Sequence, residues 1–240
     1  MDAVNVPMNS SAEALRHHLK TAKDLRLQAN GEPATARDRL FLREWQAGRL
    51  ARSHADLLAS QRFGQAAEFF LSDLYGPKDF SSRDEEVERI LPLLIKMLPE
   101  SALRTVALAV ELDALSEELD SAMVAALRSS GGIDRIDEDH YAAAYREVGC
   151  PAGRLRQIEL IRETGEALDR LARKPLLSGM LKLMRTPAHL AGLGDLQEFL
   201  ERGFNAFRQM GPATEFLDSI DRKERMVSAN LFAGVAMPFR

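Results

Sequence analysis

The chain has few of the features that mark secreted, membrane-spanning or nucleic-acid-binding proteins. Its 240 residues include one cysteine, so no disulfide can form within the chain. No stretch approaches the roughly 18 apolar residues that cross a bilayer, and the N-terminus lacks the basic flank and apolar run of a signal peptide. The net charge of −4 gives no electrostatic attraction for DNA or RNA. We therefore predict a cytoplasmic protein without transmembrane segments that does not bind nucleic acid.

Residues that favour β-strands are also scarce. Aromatic residues make up 6% of the chain, whereas alanine and leucine are abundant, so the intrinsic propensities favour helix. Apolar residues recur at helical spacing most regularly between Ser101 and Arg128. The sequence predicts an all-α fold, a single-domain multi-helix bundle of about eight to ten helices. Residues 1–9 are predicted to be disordered, and residues 10–240 to form the single helical domain.

Several finer predictions concern the ends of helices. Residues 34–59 show one continuous helical pattern. Pro187 is predicted to occupy the first turn of a helix that Thr186 caps. Asp195, followed three residues later by Glu198, is predicted to cap the next helix.

The sequence contains none of the common catalytic or metal-binding motifs. There is no phosphate-binding G-x-x-x-x-G-K-[ST] or G-x-G-x-x-G loop, and no Glu-x-x-His pair of the kind that di-metal helical proteins use. Asp137-x-x-His140 has a metal-like spacing, but an acidic cap at a helix start explains it better. We assign no catalytic or metal-binding residue, and the sequence requires no cofactor.

One group of residues fits an apolar ligand site. His54 flanks an apolar arc, where a neutral imidazole can bind haem iron or hold a proton, although a hydrogen-bonded core histidine is the commoner case. Phe199, Phe204 and Phe207 follow a helical stripe and are candidate lining residues. An alternative function is therefore a carrier or sensor of an apolar small molecule such as haem, another tetrapyrrole or a lipid.

Scattered carboxylates leave a second alternative open. Glu111 and Glu118 border the apolar face of the helix at 101–128, where pairing with an arginine of a neighbouring helix is the simplest interpretation. An enzyme whose acid and base are drawn from Glu44, Glu111, Glu118 or Tyr75 remains the second alternative, because a site assembled from distant helices leaves no local motif.

Residues 171–193 combine leucines and methionines with basic residues. This combination is typical of a helix that contacts a partner or lies on a membrane surface. An interior helix whose cations extend to solvent explains the pattern too. Peripheral membrane contact is the less favoured interpretation.

The run at residues 69–84, FFLSDLYGPKDFSSRD, resembles the signature of an uncharacterised helical family found in proteobacteria. The resemblance implies an all-helical fold but no activity, cofactor or catalytic residue. The run places five polar side chains at one corner, which we interpret as a hydrogen-bond network rather than the rim of a site. These are Asp73, Tyr75, Asp79, Arg83 and Asp84.

The leading functional hypothesis is a non-enzymatic helical binding or regulatory protein. No catalytic constellation is evident, and several helices carry more apolar surface than a simple two-layer bundle needs. We expect a protein partner or self-association, with a homo-oligomer as one form of it.

Overall fold

The computed structural model describes residues 10–74, 86, 88–92, 95–96 and 100–239, and these residues form helices and turns without a strand. The elements are α1 (Ser10–Asn30), α2 (Pro33–Ser53), α3 (Ala55–Leu58), α4 (Gly64–Phe69), a π-helical turn (Phe70–Leu74), α5 (Glu100–Ser129), α6 (Glu138–Val148), α7 (Pro151–Ala172), α8 (Pro175–Leu190), α9 (Gly194–Met210) and α10 (Thr214–Ala233). Residues 86, 88–92 and 95–96 are also helical. The predicted all-α fold is confirmed. In this described part of the chain, no helix is long and apolar enough to cross a membrane.

The 30-residue helix α5 is the central element, with α1 packed along one side and α7 along another. Near its N-terminal end, Leu103 and Ala107 pack against Leu15 and Leu19 of α1. This contact is apolar, as the periodicity of both helices predicts.

The acidic side of α5 is buried as well. Three carboxylates on this side meet three guanidinium groups from α1 and α2: Asp113, Glu117 and Asp120 face Arg26, Arg39 and Arg43. Glu117 is only 1% exposed, and Arg26 Nε lies 3.0 Å from its Oε1 atom. Burial, followed by the neighbouring Arg43, lowers the pKa of Arg39 to about 10. Cations and anions balance in number here, so the cost of burying each charge is offset by a partner.

The other helices form two further apolar clusters. One joins α3, α4, α5, α7, α9 and α10 around Phe207 and Phe216, and the other joins α2, α5, α6 and α10 around Tyr141. The contact between α7 and α10 depends on a glycine, because a Cβ atom on Gly165 would lie 2.4 Å from Leu217 Cδ2.

Two predictions about where helices begin and end, near His54 and near Pro187, are wrong. The helical pattern at 34–59 breaks at His54, which separates α2 from α3 with φ −113° and ψ 28°. Pro187 lies inside α8 rather than in a first turn, so Thr186 does not cap a helix. The proline is tolerated because α8 ends within one turn of it, and because Pro187 is exposed, so water can bond the carbonyl that loses its amide partner.

The predicted cap of α9 is also wrong. The residue at the N-cap is Leu193, whose side chain makes no capping hydrogen bond. Instead the Leu196 amide donates to Glu86 Oε2 at 2.9 Å, so a carboxylate distant in sequence caps the helix. In contrast, Asp137 caps α6 as predicted, since its side chain accepts a hydrogen bond from the His140 amide.

Candidate functional site

A cavity of about 140 Å³ lies among α2, α5, α6, α7 and α10, with α3 and the π-helical turn at one side. Apolar side chains form part of the wall, including Phe70, Ile158, Ile161, Phe216 and Ile220. Cavities of roughly 150 Å³ accept a molecule the size of benzene. The space is therefore large enough for a small organic molecule.

Glu224 forms a buried ion pair with Arg49 at the cavity wall. On α10 the apolar side chains of Ile220, Val227 and Leu231 follow helical spacing, and Glu224 interrupts this buried face. Arg49 Nη1 lies 2.7 Å from each carboxylate oxygen of Glu224, and His54 Nε2 lies 2.9 Å from Oε1. One carboxylate thus holds both an arginine and a histidine at the cavity.

The electrostatics of this pair show that its charges stabilise each other. Burial alone raises the pKa of the Glu224 carboxyl, but Arg49 and His54 outweigh burial and lower that pKa to about 2. Burial likewise lowers the pKa of Arg49, but Glu224 outweighs it and the net shift is upward. The pair is ionised at neutral pH and needs no further partner for its charge.

Arg154 has no such partner among the described residues. It lies on α7 and is 5% exposed, and its guanidinium stacks 4.5 Å from the centre of the Tyr145 ring. Its Nε and Nη2 atoms are buried without a hydrogen-bond partner among the described residues, and no described carboxylate lies within ion-pairing distance of it. Two other buried nitrogens beside the cavity, Arg49 Nε and His54 Nδ1, also lack a partner there.

The charged side chains that line the cavity are three arginines and four carboxylates: Arg43, Arg49 and Arg154, with Asp113, Glu117, Asp120 and Glu224. The three carboxylates of α5 pair with Arg26, Arg39 and Arg43, and Glu224 pairs with Arg49. Arg154 is the lining arginine that pairs with none of these carboxylates. A buried unpaired charge costs several kcal/mol. An anion in the cavity would remove that cost.

Neutral polar groups complete the wall. The Tyr145 hydroxyl lies 3.0 Å from Ser228 Oγ, and Gln157 Nε2 donates to Ser116 Oγ at 2.9 Å. Burial raises the pKa of the Tyr145 hydroxyl, which therefore stays neutral. These pairs are already satisfied, so they shape the cavity without adding charge.

A family profile matches residues 25–238, a range that includes every residue lining the cavity. The chain belongs to the DUF8198 family, a domain of unknown function. The prediction of an uncharacterised family is confirmed at this level. Comparison with curated proteins and with solved structures gives no match.

The predicted apolar site of this DUF8198 chain is not brought together by the fold. His54 lines the cavity, but none of the three predicted phenylalanines does. Phe199 packs against Phe69, with ring centres 5.4 Å apart, and Phe207 packs against Phe70 at 6.0 Å. Phe204 lies against the same apolar cluster. Phe204 and Phe207 line a second pocket between α7 and α9, so the three rings are not part of the cavity that His54 lines.

The predicted polar residues that the structure describes lie away from the cavity. Glu111 pairs with Arg156 of α7 at 2.9 Å, as predicted, whereas Glu118 and Glu44 are exposed. Asp73 is buried and bonds Arg202 of α9. The remaining members of the predicted corner lie outside the described residues: Tyr75, Asp79, Arg83 and Asp84. Among the described residues, no group of three His, Cys, Asp or Glu side chains is placed to hold a metal ion.

Sequence reasoning missed Arg154 and Glu224, although both leave a signal. Arg154 lies four residues before Ile158 and seven before Ile161, so it falls on the buried face of α7. Glu224 interrupts the apolar face of α10 in the same way. A charged residue within an apolar stripe is the pattern that would have identified both.

Proposed function

We propose that this DUF8198 protein is a non-enzymatic small-molecule binding protein whose ligand is a small organic acid held in the cavity. The observation that carries the proposal is the buried guanidinium of Arg154, which makes no hydrogen bond or ion pair with a carboxylate of the described residues. A buried cation without a partner lowers the stability of the fold, and a bound anion would compensate its charge.

The geometry of Arg154 favours a carboxylate. Its unpaired atoms, Nε and Nη2, lie on the same edge of the guanidinium, which is an edge that a carboxylate bridges with two parallel hydrogen bonds. The Tyr145 ring under the guanidinium fixes its plane. Ile158 and Ile161 then offer an apolar surface to the rest of the ligand.

The size of the cavity favours a small acid over a tetrapyrrole. Drug-sized ligands occupy pockets of roughly 300–1,000 Å³, whereas this cavity is about 140 Å³. Arg49 Nε and His54 Nδ1 supply two more buried nitrogens for a polar substituent. The ligand we propose is therefore an acid with a short hydrocarbon or single-ring body.

Trp45 provides a reporter for the test. It is the only tryptophan of the chain and stacks on Tyr141, a cavity residue, with ring centres 4.2 Å apart. Titration with benzoate should change the Trp45 emission in a saturable way. Benzamide, which has the same shape without the charge, should bind about 10- to 100-fold more weakly, because a charge-assisted hydrogen bond contributes roughly 1.5–3 kcal/mol.

Two variants separate specific binding from a general effect. Arg154→Met should abolish the benzoate response, whereas Arg170→Met, at an arginine whose side chain is 68% exposed, should leave it unchanged. The proposal fails if wild type gives no saturable response, if benzoate and benzamide bind alike, or if Arg154→Met binds benzoate as wild type does.

One observation favours an enzyme as the second candidate. A carboxylate orients His54 through Nε2 and leaves Nδ1 without a partner at the cavity, which is how a general base is held. In that case His54→Gln would still bind the acid but would no longer convert it. Nuclear magnetic resonance of the acid incubated with wild type and variant would separate the two candidates, because a binding protein leaves the acid unchanged.

The source, the cellular location and the partners of the protein remain predictions. We propose a bacterial, cytoplasmic protein that contacts a protein partner or self-associates. Size-exclusion chromatography with light scattering would test self-association, and the cavity proposal does not depend on its result.

A further inference from the structure

Helix α8 exposes a row of large apolar side chains. These are Leu176, Met180, Leu183, Met184 and Leu190, of which Leu176, Leu183 and Leu190 are 79%, 79% and 86% exposed. Their spacing of four, seven, eight and fourteen residues from the first places them on one face of the helix. The helix is therefore not an interior one, and a contiguous exposed apolar face of this kind marks an interaction surface.

The charged residues within α8 and its flanking turns are all basic. No acidic residue occurs between Asp169 and Asp195, although the chain has 36 acidic residues and a net charge of −4. The same segment contains five cations: Arg170, Arg173, Lys174, Lys182 and Arg185. Three of them lie near carboxylates on adjoining turns or on α9, whereas Lys174 and Lys182 are exposed outside the ion pairs of the described residues.

We propose that α8 docks on an anionic lipid surface, with its apolar face at the boundary between headgroups and acyl chains. Apolar exposure alone would suit a second copy of the chain equally well. Two copies would bring two basic segments together, however, whereas anionic headgroups complement both the cations and the apolar row. The inference rests on α8 alone and is independent of the ligand proposed for the cavity.

The experiment is sedimentation of the full chain with two kinds of vesicle, pure phosphatidylcholine and phosphatidylcholine with about one third phosphatidylglycerol. We expect binding to the anionic vesicles at low salt, weak binding to the neutral ones, and release by salt. Replacing Lys174 and Lys182 with glutamine should weaken binding about fivefold for each lysine.

Matched variants test the apolar row. Leu176→Gln with Leu183→Gln should weaken vesicle binding on the order of tenfold or more. Leu27→Gln, at a leucine of α1 that is 60% exposed, should bind as wild type does. Thermal melting by circular dichroism verifies that each variant is folded.

Three outcomes would overturn the proposal. These are no sedimentation with the anionic vesicles, equal binding to both vesicle types, and a dimer in analytical ultracentrifugation that the double leucine variant dissociates. The last result would assign the apolar face of α8 to a second copy of the chain.

Discussion

Replacing Arg49 or Arg154 by methionine should have very different effects on the stability of the ligand-free protein. Arg49→Met leaves the buried Glu224 carboxylate with His54 alone, and breaking a buried ion pair from one side costs about 3–5 kcal/mol. Arg154→Met removes a cation that leaves no carboxylate of the described residues without its partner. The first variant should therefore be much less stable than wild type, and the second should not.

The magnitude for Arg154→Met follows from two opposing contributions. Replacement of buried charge by an apolar side chain of similar volume is neutral or stabilising by about 1–4 kcal/mol. Loss of the contact with the Tyr145 ring costs about 1–2 kcal/mol. The net change should lie between about 2 kcal/mol of destabilisation and about 3 kcal/mol of stabilisation.

Thermal unfolding measures both effects. For a chain of this size 1 kcal/mol corresponds to about 2–4 °C in Tm. Arg49→Met should lower the Tm by about 6–20 °C, whereas Arg154→Met should lower it by at most about 8 °C or raise it by up to about 12 °C. The protein must first be refolded from denaturant to remove any bound ligand, since a ligand stabilises wild type alone. An Arg154→Met variant as unstable as Arg49→Met would refute the reasoning, because it would show that Arg154 has an anionic partner within the chain.

Two further predictions concern packing and pH. Gly165→Ala should destabilise the fold by about 1–3 kcal/mol, because the new Cβ atom would collide with Leu217. Gly179→Ala, which adds a Cβ atom in open space on α8, should be neutral or stabilising by up to about 1 kcal/mol. Urea unfolding measures both free energies, and equal effects of the two variants would contradict the close packing of α7 and α10. The pKa of Glu224 is lowered from 4.5 to about 2 in the folded state, so its ionised form contributes about 3 kcal/mol above pH 4.5, and this is lost as the pH falls from 4.5 towards 2. Urea unfolding across this range should show a shallower acid dependence for Glu224→Gln, and an unchanged slope would contradict the ion pair.

The helices could be predicted from the sequence where apolar residues repeat without interruption. The segment predicted at 101–128 corresponds to α5, observed at Glu100–Ser129, because its apolar stripe and its end at paired glycines are local signals. Two features of the helices could not be predicted. Helix α8 continues through Pro187 because this proline is exposed and lies in the last turn, and the start of α9 after Leu193 is capped by Glu86, which is distant in sequence.

The cavity could be predicted only in part. His54 was identified because it flanks an apolar arc, and the structure places it at the cavity wall. Arg154 and Glu224 interrupt apolar stripes in the same way, but charged residues are also common at the edges of such stripes, where they extend to solvent. A charged residue is buried rather than extended to solvent when another helix packs over it. Which helix does so depends on the assembled fold, so the sequence alone does not distinguish the two arrangements.

Native mass spectrometry of the protein purified from its own cells is the decisive test of whether the cavity holds an organic acid. We expect a wild-type mass increased by one small acid per chain, an unmodified mass for Arg154→Met, and the wild-type adduct for Arg170→Met. An adduct that persists in Arg154→Met, or a wild-type protein that carries no small molecule, would contradict a cavity built around Arg154 for an organic acid.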